Sequence, residues 1–177
     1  MTMNLTDIND IKALLARHGF NFSRSMGQNF LIAPWVPEKI AACAGLGSGV
    51  GVLEIGPGVG CLTQQLALRA ESVLALELDE TLRPVLAETM GQYENVTVRF
   101  CDALKTDVSA LVAQEQPGLR HVLCANLPYN ITTPVLTALI EAKCFERLTV
   151  MLQREAAQRL CAKPGGSPEK RSSRHRK

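Results

Sequence analysis

Short apolar runs alternate with amphipathic stretches through most of this 177-residue chain. The amphipathic stretches have apolar residues at helical spacing and predict helices at about 61–70, 80–90, 105–114, 133–142 and 153–162. The apolar runs predict strands at Val50–Ile55, Val73–Leu78, Val96–Phe100, His121–Ala125 and Leu148–Leu152. Nearly continuous apolar strands between helices are typical of a parallel sheet that is covered on both faces, so we predict an α/β fold.

The residues before the first strand predict two further helices. Apolar residues recur at helical spacing after Thr6 or Asp7, either of which can cap the helix, and Gly19 is expected to end it. A second helix is predicted near Pro37–Ala44, and Trp35 is expected to pack in the core.

Composition excludes several classes of protein. Hydrophobic residues make up 46% of the chain and charged residues 20%, as in a globular domain, and no run approaches the roughly 20 apolar residues of a membrane span. The polar N-terminus does not resemble a signal or transit peptide. The six cysteines form no Cys-x-x-Cys pair and the three histidines are far apart, so we predict no metal site, no disulfide framework and a reducing, cytoplasmic location.

Charge is distributed unevenly along the chain. Residues 164–177 contain five basic side chains and one acid, a charge of +4, so the rest of the chain must carry −2 of the net +2. Because the body of the protein is not basic, bulk charge does not indicate nucleic-acid binding, and any such function must be argued from a site.

The first strand leads directly into a glycine-rich loop, Glu54–Gly60, before a helix that begins at Cys61. Alternate glycines let the backbone turn tightly and let a ligand approach it closely, and the helix N-terminus presents free N–H groups. An ordinary strand-to-helix turn could have the same pattern, so the loop alone does not decide between the two.

Two acids strengthen the ligand interpretation. Glu77 ends the second predicted strand, 17 residues after Gly60, and can accept hydrogen bonds from both hydroxyls of a ribose. Asp102 follows the third strand and can accept from an adenine amine, although either acid could instead cap a helix. Together they predict a site for an adenosine-containing cofactor. The dinucleotide pattern needs two residues before its third glycine, whereas Gly58 and Gly60 are separated by one. Glu54 before the loop, Asp102 and the polar corner at the end of the fourth strand also favour S-adenosylmethionine over NAD.

The fourth strand ends in a polar, aromatic corner, Asn126–Tyr129. The Asn126 amide can donate and accept, Pro128 has a carbonyl free to accept, and Tyr129 has a ring face for stacking. The corner also suits a simple turn with a half-buried tyrosine. Corners of this kind are typical of enzymes that methylate an exocyclic amino nitrogen.

Five segments occur in a characteristic order: Ser25–Leu31, Glu54–Gly60, Asp102–Leu104, Ala125–Pro134 and Met151–Glu155. In this combination the chain resembles the ribosomal RNA adenine N6-dimethyltransferase family, specifically the branch that modifies two adjacent adenosines in a small-subunit rRNA hairpin. The resemblance covers about residues 8–164 and implies a Rossmann-like methyltransferase fold. It also implies that the partner is small-subunit (16S) rRNA or the pre-ribosomal small subunit. The family's enzymes are expected to be monomeric and to need neither a metal nor a membrane.

The family's site residues can be carried over to matching positions. The resemblance implies that S-adenosyl-L-methionine contacts Gln28, Asn29, Leu31, Gly56, Gly58, Glu77, Asp102 and Asn126. It implies that the catalytic residues are Asn126 and Pro128, which accept the two hydrogens of the adenine amine, and Tyr129, which stacks on the base.

The chain departs from the family after Lys163. Relatives continue with further strands and a small helical domain, so we expect a C-terminally truncated form in which Leu148–Leu152 is an exposed edge that could pair with another chain. We expect residues 1–46 to form a helical segment that closes over the cofactor, residues 47–163 to form the Rossmann-like domain and residues 164–177 to form a disordered basic tail. Two alternatives stay open: a cofactor- or RNA-binding remnant without turnover, and a large-subunit rRNA methyltransferase, which Leu127 in the corner disfavours.

Overall fold

A single parallel sheet organises the protein. The computed structural model describes residues 4–20, 33–127 and 132–161. Its strands are β1 (Val50–Ile55), β2 (Ser72–Glu77), β3 (Val96–Phe100), β4 (Arg120–Asn126) and β5 (Arg147–Met151). They pair in the order β3-β2-β1-β4-β5, and every pairing is parallel. The predicted α/β fold is therefore confirmed.

Seven α-helices surround the sheet within the described residues. They are α1 (Ile8–Arg17), α2 (Trp35–Cys43), α3 (Cys61–Ala67), α4 (Arg83–Met90), α5 (Val108–Glu115), α6 (Thr132–Glu141) and α7 (Arg154–Leu160). From β1 the chain adds β2 and β3 on one side of the sheet, then returns to add β4 and β5 on the other. This reversal makes the carboxyl ends of β1 and β4 a topological switch point, where ligands bind in open α/β sheets.

The two faces of the sheet bury separate clusters of apolar side chains, because successive residues of a strand point to opposite faces. One cluster joins the even-numbered positions Val50 and Val52 of β1 to residues from α1 through α4. The other joins Leu53 and Ile55 to residues from α5 and α6. No residue of α7 is buried.

Most predicted elements are present, with local shifts at their ends. Asp7, rather than Thr6, caps α1, because its side chain accepts from the backbone N–H groups of Asn9 and Asp10. The predicted helix at 105–114 begins only at Val108, since the Asp107 side chain accepts from Ala110 N at 3.0 Å. The predicted helix at 80–90 is a 3₁₀ turn, Glu80–Leu82, followed by α4.

Two apolar residues are not where the sequence predicted them. Trp35 was expected in the core and is 67% exposed, and Leu78 was expected in the second strand but lies beyond its end and is also 67% exposed. Both predictions were wrong. The apolar pattern of a helix or strand does not show which of its ends is covered by the neighbouring helices and strands.

The α2 helix lies on the same face of the sheet as α3, over β5. Arg147 begins β5, and its Nη1 donates to the backbone oxygen of Cys43 at the end of α2, at 3.0 Å. The edge position predicted for the last strand is confirmed, because β5 pairs only with β4 among the described residues. Association of two chains through this edge stays a prediction.

All six cysteines carry free thiols, and Cys61 and Cys124 are buried. In the parts of the chain that the structure describes, His, Cys, Asp and Glu side chains do not gather in groups of three or more suited to a metal ion. No helix among those residues has the length and apolar character needed to cross a membrane. The predicted tail, 164–177, lies outside the described residues.

Candidate cofactor and methyl-acceptor site

The glycine loop joins β1 to α3 in a backbone conformation that side chains rarely adopt. Gly56, Gly58 and Gly60 have φ angles of 71°, 61° and 96°, in the left-handed region. Gly56 N donates to Leu76 O at 2.9 Å, which fixes the loop to the end of β2. A Cβ placed on Gly56 would meet no atom within 4 Å, so the backbone there is open to the approach of a ligand.

Glu77 connects the end of β2 to this loop. Its Oε2 accepts from Gly58 N at 3.1 Å, and its Oε1 accepts from Asp79 N at 2.9 Å. Asp79, not Glu77, caps the 3₁₀ turn, so the helix-cap alternative for Glu77 is wrong. Each carboxylate oxygen can accept more than one hydrogen bond, so the group keeps acceptor capacity for a ligand.

The surroundings of Glu77 affect its protonation in two opposing ways. The residue is only 6% exposed, and burial raises the pKa of its carboxyl. The N–H groups of Asp79 and Gly58 oppose this shift because they stabilise the charged form. The same hydrogen bonds hold the carboxylate in a single orientation beside the loop.

Asp102 lies two residues beyond β3 and is part of a turn. Its Oδ1 accepts from Leu104 N at 2.9 Å, and Lys105 Nζ is 3.6 Å from its Oδ2. The side chain is 28% exposed. Asp107 rather than Asp102 caps the helix that follows, so a local turn role and an exposed acceptor both fit Asp102.

Asn126 is the last residue of β4 and lies beside the end of β5, where it is paired in register with Met151. Its neighbour Ala125 pairs with Ile55 at the end of β1. The carboxyl edge of the sheet thus brings together the glycine loop, Glu77, Asp102 and Asn126 on four adjacent strands. Gln28, Asn29, Leu31, Pro128 and Tyr129 lie outside the described residues.

A buried acid beneath the loop was not among the site residues predicted from the sequence. Glu54 is 1% exposed and Thr63 is 0% exposed. Burial raises the pKa of the Glu54 carboxyl to about 8, the ionised Glu77 nearby adds to the rise, and the Thr63 hydroxyl opposes it. The Thr63 hydroxyl is near enough to affect the pKa of the carboxyl, but the two groups are not in hydrogen-bonding geometry. Glu54 Oε2 and Thr63 Oγ1 each lack a hydrogen-bond partner.

One signal in the sequence, and one feature that only the structure shows, mark further residues at this edge. An acid inside an otherwise apolar strand, two residues before a glycine loop, marks Glu54 as a polar group buried next to the ligand edge. The exposed Leu78 directly follows Glu77, so it offers an apolar side chain against which a planar base could pack.

Comparison with known proteins decides the family. The model of the family described as "Ribosomal RNA adenine dimethylase" matches residues 19–176. The chain belongs to this family.

Curated proteins similar to this chain are named "Ribosomal RNA small subunit methyltransferase A". The protein from Geobacillus thermodenitrificans is 46% identical over 156 residues, which are 87% of this chain and 53% of the relative. The protein from Ligilactobacillus salivarius is 48% identical with the same coverage. The chain therefore spans about half the length of the curated relatives it matches.

Solved structures agree with the fold assignment. The 23S rRNA methyltransferase ErmE has a TM-score of 0.60 at 29% identity and is matched over 78% of this chain and 50% of its own. A dimethyladenosine transferase from Plasmodium falciparum has a TM-score of 0.59 at 32% identity, over 73% of this chain and 45% of its own. The predicted Rossmann-like methyltransferase fold is confirmed.

The residues present fit an adenosine-containing methyl donor. The open backbone at Gly56 allows a ligand to lie against the loop, and Glu77 has acceptor capacity beside it. Glu54 Oε2 and Thr63 Oγ1 are buried polar atoms without partners, which is costly unless something else satisfies them. A polar ligand end or an ordered water reaching this depth would do so.

Proposed function

We propose that the protein uses S-adenosyl-L-methionine to dimethylate N6 of two adjacent adenosines in a small-subunit (16S) rRNA hairpin during ribosome biogenesis. The observation that supports this most strongly is the Glu77 carboxylate, which is held by Gly58 of the glycine loop at the edge that also carries Asp102 and Asn126. This combination suits an adenosine with its hydroxyls toward Glu77 and its amine toward Asp102.

Each part of the cofactor site has a separate task in the proposal. Glu77 accepts from the ribose hydroxyls, Asp102 accepts from the adenine amine, and the loop at Gly56 and Gly58 allows close contact. Gln28 and Asn29, in the segment 1–46, close over the methionine end, Leu31 contacts the cofactor, and Asn126 borders the methionine end. When bound, the cofactor supplies an electrophilic methyl group.

The acceptor side of the site makes a poor nucleophile reactive. The lone pair of an adenine amine is delocalised into the ring. The Asn126 side-chain oxygen and the Pro128 carbonyl accept its two hydrogens, which favours a pyramidal nitrogen with a directed lone pair. Tyr129 stacks on the base and holds it in line, and positioning of this kind can supply several kcal/mol of the barrier. Solvent can take the proton from the product, so no strong general base is needed.

The proposed substrate is an adenosine that leaves its stack. Enzymes that act on a base extrude it into their pocket, and an unpaired hairpin adenosine costs less to extrude than a paired one. Because the substrate is a ribosomal precursor, the proposal places the protein in the cytoplasm. The small-subunit branch is favoured over the large-subunit one by the names of the curated relatives.

The test combines two measurements on the whole chain. Transfer of tritiated methyl groups from S-adenosylmethionine to unmethylated small subunits is expected for the wild type. Asn126→Ala should lower this transfer by about 100-fold, because a misplaced amine no longer points its lone pair at the methyl group. Asn9→Ala, on the exposed side of α1, is the matched control and should leave transfer unchanged.

Cofactor binding, measured by titration calorimetry, separates the possible failures. Normal transfer by Asn126→Ala, with a native circular dichroism spectrum, would contradict the role of Asn126. Cofactor binding without any transfer by the wild type would contradict the enzymatic proposal and favour a binding remnant. Absence of cofactor binding would contradict the site itself.

A further inference from the structure

Trp35 is the only tryptophan of the chain, and its side chain is not used in the core. It begins α2 and is 67% exposed, whereas the residues that α2 does bury are Pro37, Ile40 and Ala41. Tryptophan is highly buried on average in folded proteins, so an indole on the surface next to a well-packed helix face needs an explanation.

The direction of α2 brings Trp35 toward the ligand edge of the sheet. The end of α2 is bonded to Arg147 at the start of β5, and only six residues separate it from the start of β1, so this end lies at the amino edge. Besides this bond at its end, α2 packs against both α3 and β5. Because its last residue lies at the amino edge, we infer that the helix runs back along β5 and that its first residue lies toward the carboxyl edge.

Asn126 lies on the same face of the sheet as α2. Strand residues alternate between faces, and Val122 and Cys124 of β4 point into the cluster shared with α2, so Asn126 continues that series. Its register partner Met151 also packs against this cluster. Trp35 is thus on the same side and at the same edge as the proposed acceptor residue.

A cation accompanies the indole. Lys39 is exposed, lies four residues after Trp35 on the same helix and has no ion pair with any residue that the structure describes. Residues at this spacing are neighbours on a helix surface. Glu38 is also exposed and lies three residues after Trp35, so it opposes a negatively charged partner.

An aromatic face beside a cation matches the repeating chemistry of single-stranded RNA, in which each nucleotide has a base to stack and a phosphate to pair. We propose that Trp35 stacks on an unpaired base that flanks the target adenosine and that Lys39 contacts a phosphate of the same strand. The inference rests on the proposed function, because it assumes that the substrate at the Asn126 edge is RNA.

The single tryptophan makes this surface directly observable. Titration of the chain with an unmethylated rRNA hairpin that has two adjacent loop adenosines should quench Trp35 fluorescence as binding proceeds. Binding is followed independently by the anisotropy of a label on the RNA. Trp35→Ala should weaken binding by about 10-fold, and Trp35→Phe, which keeps an aromatic face, should retain most of the affinity.

Charge variants test the second contact. Lys39→Ala should reduce the slope of log affinity against log salt by about one, and Glu38→Gln should strengthen binding. Leu68→Ala is the control, because Leu68 is 66% exposed but follows α3 at the opposite edge of the sheet. It should leave RNA affinity unchanged.

Each result either supports or overturns the inference. RNA that does not bind, RNA that binds without changing Trp35 fluorescence, or equal affinity of wild type and Trp35→Ala would overturn it. A fluorescence change that depends on protein concentration and not on RNA would show a contact between copies of the chain and would also overturn it. Cofactor binding, measured in parallel, tests the proposed function separately, since Trp35→Ala should not change it.

Discussion

Replacing Glu54 by glutamine should remove a large pH dependence from the stability of this protein. Burial raises the pKa of the Glu54 carboxyl from 4.5 to about 8 in the folded state. Between these pH values the folded chain keeps a proton that the unfolded chain releases. The free energy of unfolding therefore falls as pH rises, by about 1.4 kcal/mol per pH unit from this group alone.

The free energy of unfolding stops falling only when the pH passes the folded-state pKa of about 8. Between pH 5.5 and pH 7.5 the free energy of unfolding falls by about 3 kcal/mol, a large part of the stability of an ordinary domain. Glutamine is nearly the same size as a protonated glutamic acid and does not ionise. The stability of Glu54→Gln relative to wild type should therefore increase by about 3 kcal/mol over this range.

Urea unfolding at pH 5.5, 6.5 and 7.5, followed by far-ultraviolet circular dichroism, measures this difference. All other titrating groups are shared by the two proteins and cancel to first order. Glu94→Gln is the matched control, because Glu94 is exposed and makes no ion pair with the described residues. A Glu54→Gln difference that stays constant within about 0.5 kcal/mol would refute the reasoning, because it would mean that the folded state does not hold this carboxyl neutral.

Two further substitutions test the packing around the site. Gly60→Ala should destabilise the fold by about 2–3 kcal/mol in urea unfolding, because φ is 96° and the new Cβ would lie 2.6 Å from Met90 Cε. Gly56→Ala should destabilise it by only about 1–2 kcal/mol, from backbone strain alone. Equal losses for the two glycine variants would argue against the contact with Met90. Asn95→Ala should cost about 1–3 kcal/mol, because its Nδ2 donates to two backbone oxygens at and just beyond the end of α3, at 2.9 and 3.1 Å, and an unchanged urea midpoint would contradict that role.

Much of the architecture follows from local patterns in the chain. The apolar runs predicted the described strands to within a residue or two. The central strands β1, β2 and β4 are nearly continuous in their apolar character because they are buried on both faces. The glycines of the loop were recognisable since only glycine adopts their φ angles at low cost. The acids at the strand ends were recognisable because the carboxyl ends of parallel strands meet at one edge.

The residues that cap the helices, and the residues at which the helices begin, could be identified only in the folded chain. Asp79 and Asp107, rather than Glu77 and Asp102, cap the elements that follow, and the choice depends on the turn that each short segment adopts. Glu77 is left to hold Gly58, a contact between residues 19 positions apart that no local pattern specifies.

The order of strands and helices along the chain, the glycine loop and the family could be recognised in the sequence, because they depend on spacing and on residue type. Which side chains are buried could be seen only in the folded protein. Glu54 is enclosed because α3 and the N-terminal helices cover that face of β1, and Trp35 is exposed because α2 buries other positions. Burial is a property of the layers around a residue, so neither the burial of Glu54 nor the exposure of Trp35 could be predicted from the sequence.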